Sequence, residues 1–86
     1  MHELSIALEI CRIAGHQVGA ARVPQIRCVD IDVGAASGVE IESLRFCLEA
    51  VLAEPPFSDA TPVIHLQGGD VLRVNYVEVD DDGPSH

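Results

Sequence analysis

An α+β two-layer sandwich, two helices packed on a three-stranded sheet in the order α-β-α-β-β, is the fold these 86 residues predict. Three observations carry it. Two stretches space their apolar residues three and four apart, as one face of a helix requires; three others run or alternate over strand lengths; glycine or proline marks the junctions. A three-stranded sheet exposes one apolar face and two amphipathic helices are enough to cover it, so two layers follow from the elements themselves.

Leu4, Ala7, Leu8, Cys11, Ala14 and Val18 recur at helical spacing and predict a helix over residues 3–17. A second apolar row, Ile6, Ile10 and Ile13, lies roughly opposite, which leaves only Ser5, Glu9, Arg12 and His16 as a wet strip. One row is expected against the core and the isoleucine row is expected to dock another part of the fold or another chain. Gly15 and Gly19 weaken the last turns, and Gly19-Ala20-Ala21 reads as the exit. Pro24 then opens an extended segment in which Val29, Ile31 and Val33 alternate with Cys28, Asp30 and Asp32, a strand with one face inward and an acidic face in water.

Residues 34–38, Gly-Ala-Ala-Ser-Gly, form a turn before a second helical stripe of Ile41, Leu44, Leu48, Val51 and Leu52. Glu40 and Glu42 near its start favour the positive end of the helix dipole, and Pro55-Pro56 stops it. A short strand is expected over 61–67, a two-residue hairpin at Gly68-Gly69, and a returning strand over 71–79. Within that last strand the inward set changes phase from Leu72 and Val74 to Val77 and Val79, so a β-bulge is expected near Asn75-Tyr76. Residues 1–79 thus read as one domain and residues 80–86 as an acidic flexible tail.

Composition narrows the function. Hydrophobic residues make up 48% of the chain but Phe46, Phe57 and Tyr76 are its only aromatics, so the core is aliphatic and a domain this small gains stability from a partner or from self-association. Five arginines, no lysine and fourteen acids give a formal charge of −9, which a phosphate backbone would repel. Partners with basic patches, or metal cations, fit this surface better. Cys11, Cys28 and Cys47 lack Cys-x-x-Cys spacing and sit in apolar surroundings, so they are expected as reduced thiols in a cytoplasmic protein. No apolar run reaches the ~18 residues of a membrane span, and the start lacks the basic region of a signal peptide.

The one stretch with chemistry of its own is Met1-His2-Glu3. A methionine followed by a bulky histidine is expected to be retained, leaving a free amine (pKa ~8) beside an imidazole (pKa ~6.5). Amine, deprotonated intervening amide and ring nitrogen close fused five- and six-membered chelate rings in one plane, a geometry that suits Ni(II) or Cu(II) and gives zinc or magnesium much less.

Met1-His2-Glu3-Leu4-Ser5-Ile6-Ala7-Leu8, Val33-Gly34-Ala35-Ala36-Ser37-Gly38-Val39-Glu40, Leu44-Arg45-Phe46, and Leu72-Arg73-Val74 with Val77-Glu78-Val79 together resemble the HypA/HybF family of nickel-incorporation metallochaperones. The resemblance implies a nickel-binding domain that helps insert Ni(II) into [NiFe]-hydrogenases, with a hydrogenase large-subunit precursor as client and a HypB-like GTPase as partner. It implies metal binding at Met1, His2 and Glu3, with Glu3 contributing its backbone amide as a ligand or its carboxylate beside the site. Family members also carry an inserted domain whose two Cys-x-x-Cys pairs hold a structural zinc. This sequence has no such pairs, so no zinc of that kind is expected, and Gly68-Gly69 is where the insert would leave and re-enter.

Other candidates read as structural. His65 alternates with strand neighbours and reads as an exposed-face residue, His16 faces solvent, and His86 lies in the tail. Asp30 and Asp32 lack the further ligands of a calcium loop. No nucleophile, base and orienting residue stand at credible spacing, so no enzyme is expected. Two functions remain: a nickel carrier, with a homodimer through the first helix as a further expectation, or a metal-free docking module for the hydrogenase precursor on the same fold.

Overall fold

The computed structural model describes residues 3–80. Helix α1 spans Glu3–Val18, a 3-10 helix spans Ala20–Gln25, strand β1 spans Ile26–Gly34, helix α2 spans Ile41–Leu52, and strands β2 and β3 span Thr61–Gln67 and Leu72–Val79. Both helices, the three strands and the two-layer order agree with the sequence. Pro24 is a correction: it sits inside the 3-10 helix, because its fixed φ suits a tight helical turn as well as an extended one.

The sheet order is β2-β1-β3, and this overturns the expected hairpin at Gly68-Gly69. Strand β1 pairs with β2 in parallel and with β3 in antiparallel fashion, so β2 and β3 never touch as ladder partners. The parallel pair needs a crossover long enough to carry the chain back, and α2 supplies it. Residues 68–71 must then pass across the end of β1. They are bound there by three backbone hydrogen bonds: Gly34 N–H to Val71 O (2.6 Å), Ala35 N–H to Gln67 O (2.8 Å) and Ala36 N–H to Gly69 O (2.7 Å). A Cβ at Gly34 would overlap the Gly69 carbonyl oxygen and stand 2.6 Å from the Val71 nitrogen. Only glycine fits.

Val29, Ile31 and Val33 face the helices and are fully buried with Leu44, Leu48 and Leu52 of α2. From α1 the core receives Ile6, Ala7, Ile10, Cys11 and Ala14. The isoleucine row is therefore no docking face: the buried stripe lies between the two apolar rows, takes members of both, and leaves Leu4 (51% exposed) and Leu8 (52%) outside. The register of β3 slips between Asp30/Tyr76 and Ile31/Val74, which places the expected bulge at Asn75.

The far face of the sheet carries the second correction. Asp30 and Asp32 do not stand in water but are 3% and 5% exposed. Side chains from both neighbouring strands cover them. His65 Nε2 lies 2.8 Å from Asp30 Oδ2, the Asn75 amide donates to Asp30 Oδ1 (2.9 Å) and Asp32 Oδ1 (2.8 Å), and Gln67 and Arg73 donate to Asp32 (3.2 and 3.1 Å). Burial pushes the Asp30 carboxyl upward, but the hydrogen bonds from Asn75, His65 and Tyr76 outweigh it and hold it below its ordinary value. Asn75 leads the same effect at Asp32, with Gln67 and Arg73 adding to it against the burial cost.

Two outcomes follow for stability. Gly34→Ala should cost about 1–3 kcal/mol in denaturant unfolding, as overpacking does, while Gly68→Ala, with open space around it, should change little. Both folded carboxyls are depressed, so their contribution is complete above the unfolded Asp pKa of about 3.9 and is lost as pH falls from there through the folded values. Asn75→Ala should raise both folded values and flatten the fall in unfolding midpoint below about pH 4 relative to the unsubstituted protein.

Candidate metal centre

Of the three predicted metal residues, Met1 and His2 lie outside the described residues and Glu3 opens α1. Its side chain is half-buried and its carboxylate accepts a hydrogen bond from the Glu40 backbone N–H at 3.1 Å. That contact joins the starts of two helices across 37 residues of sequence. Glu40 is the N-cap of α2, with extended backbone (φ −86°, ψ 114°), and its own carboxylate accepts from the Ser43 N–H at 2.8 Å. The Ser43 amide, followed by its hydroxyl, holds the Glu40 carboxyl below its ordinary value. Two helix N-termini, whose unpaired amides carry partial positive charge, are thus matched by the carboxylates of Glu3, Glu40 and Glu42.

In the sequence Glu40 shows only a favourable position for the helix dipole. Glu is not a favoured N-cap residue, and nothing in the sequence signals either this cap or the contact with Glu3.

The remaining candidates do not join this tip. His16 is exposed in the last turn of α1, His65 is tied to Asp30 on the far face of the sheet, and His86 lies outside the described residues. The three cysteines are free and occupy three different elements, with Cys11 buried in the core, where burial pushes its thiol up to about 11. A protonated core thiol is a poor metal ligand. Among the described residues, no three of His, Cys, Asp and Glu gather as a metal cage would require.

The sequence profile of the family described as "Hydrogenase/urease nickel incorporation, metallochaperone, hypA" matches residues 1–79. The chain belongs to the HypA family. Similar proteins include the "Hydrogenase maturation factor HypA" of Azotobacter chroococcum mcd 1, 45% identical over 51 residues, which are 59% of this chain and 45% of that one. The same-named protein of Geotalea daltonii is 48% identical over 50 residues, 58% of this chain and 43% of that one. That of Chloroflexus aurantiacus is 38% identical over 64 residues, 74% of this chain and 56% of that one. The chain spans about half the length of these curated HypA relatives. The family match includes the Met1-His2-Glu3 opening and the Gly34 crossing.

The Glu3 contact gives a direct check. In Glu3→Ala, amide hydrogen exchange at Glu40 should accelerate; in Glu3→Gln, which keeps a carbonyl acceptor, it should stay near the unsubstituted rate.

Proposed function

We propose that this HypA family member captures Ni(II) at its N-terminus and helps deliver it to a [NiFe]-hydrogenase precursor. Residues 1–79 form the nickel domain in this reading, and residues 80–86 are its tail. The observation that carries it is the anchoring of Glu3: the residue next to His2 is fixed by its carboxylate to the N-cap of α2. The chelating atoms are the Met1 amine, the amide and ring of His2, and the Glu3 amide as fourth donor. With its carboxylate committed to Glu40, Glu3 supports the site through positioning.

A planar complex at a chain terminus exchanges metal faster than a closed cage, which suits a carrier. The family's described role in nickel incorporation supports the choice of cargo, and the names of the relatives support the hydrogenase client. A HypB-like GTPase is the natural donor partner in the same scheme. The chain's role is that of a carrier rather than a catalyst. No helix among the described residues is long and apolar enough to cross a membrane.

Titration of protein with an authentic amino terminus should give one Ni(II) per chain with the yellow absorbance of a planar complex. His2→Ala, or extra residues ahead of Met1, should abolish it. Affinity should fall as pH drops below about 6.5, because the ring must be neutral to bind. A protein whose Ni(II) uptake survives His2→Ala does not bind metal as proposed.

A further inference from the structure

Beside the anchored tip, α1 and α2 leave a groove of about 470 Å³ lined by Glu3, Leu4, Glu42, Ser43, Phe46 and Cys47. Phe46 is 73% exposed, the most exposed of the large apolar side chains described, on the side of α2 turned away from Leu44 and Leu48. Leu4 forms the opposite wall, and Leu8 lies one turn further along the same side of α1. An aromatic side chain left this exposed among the described residues, facing Leu4 across a groove, marks a contact surface rather than a core position.

The charge around the groove selects its occupant. Glu3 and Glu42 line it and Glu40 adjoins Glu3, whereas the cation nearby is Arg45, whose guanidinium stands 3.8 Å from Glu42. Among the described residues, three carboxylates against one guanidinium leave the rim acidic, on a chain of formal charge −9. A second copy would bring acidic rim against acidic rim. The chain's own residues 81–86 carry two aspartates and no large apolar side chain, so they match neither floor nor rim.

We propose that this groove docks a partner-protein segment in which apolar side chains are flanked by arginine or lysine, with Phe46 and Leu4 gripping the apolar part and Glu3 and Glu42 facing the cations. This deepens the delivery reading, on which it rests for the partner's identity, by placing the client's contact next to the metal-bearing tip. A groove this small gives a weak, short-lived contact, as a hand-over requires.

The test uses the full chain without metal, so that its failure and the failure of nickel binding are separable. An amphipathic leucine-lysine peptide is titrated while amide chemical shifts are followed, beside a leucine-glutamate peptide of the same pattern. Shifts confined to Leu4, Glu42, Ser43, Phe46 and Cys47 are expected for the basic peptide. Affinity should drop about tenfold in Phe46→Ser and several-fold between about 0.05 and 0.5 M salt. Because Phe46 is exposed, that variant should keep its unfolding midpoint; Glu42→Gln provides a second, purely electrostatic loss. The proposal is overturned by equal binding of the acidic peptide, by shifts centred elsewhere, by no binding, or by sedimentation showing a dimer that Phe46→Ser dissociates.

Discussion

At Gly34 two backbone segments approach so closely that no side chain can stand between them. Strand β1 ends there, the link from β2 to β3 crosses there, and residues 35–40 leave from there toward α2. The crossing lets β3 reach the free side of β1, which gives the central strand a partner on both edges. With β1 held, its inward valines and isoleucine meet both helices in a dry layer. The same link pins Ala35 and Ala36, so the loop that ends in Glu40 leaves the sheet from a fixed point. Glu40 in turn holds Glu3, so the start of α1 inherits its position from a glycine at the end of the sheet.

The two faces of the sheet solve different problems. The helix-facing side is aliphatic and gains its stability from burial in the usual way. Among the described residues no helix lies over the far side, yet two carboxylates on β1 stand only two residues apart along one strand. Like charges so placed would repel; one amide group, that of Asn75, donates to both, and the bulge that turns Asn75 onto this face makes the double contact geometrically available. His65 and Arg73 supply hydrogen-bonding partners from opposite edges. The irregularity in β3 thus holds the network together.

Periodicity made much of this legible. The limits of β2 match the expected 61–67, both helices begin within a residue or two of expectation, and the phase change in β3 located the bulge. Pairing was harder. Gly68-Gly69 is a strong local hairpin signal, but a strand, a helix and a strand in succession favour a parallel pair, and that longer-range rule prevailed. Alternation told which face Asp30 and Asp32 share but not what covers them, since the covering side chains come 35 to 45 residues later. Two apolar rows on α1 were visible as well; that the core would take the seam between them depends on the sheet's position. Met1, His2 and Glu3 stand out in the sequence as a candidate chelate, whereas the contact between Glu3 and Glu40 has no signal there.

The proposed function is local to one end of the molecule. In the proposed reading the family's described role in nickel incorporation points to the cargo and the anchored Glu3 to the place. The most direct measurement is a residue-resolved amide spectrum recorded as Ni(II) is added to protein with a free Met1 amine. Shifts that saturate at one metal per chain and cluster at residues 2–5 and 38–43, while His16 and the Asp30–His65 network stay still, are the predicted result. Shifts centred on His65 or on the cysteines, with the residues around Glu40 unmoved, would contradict it.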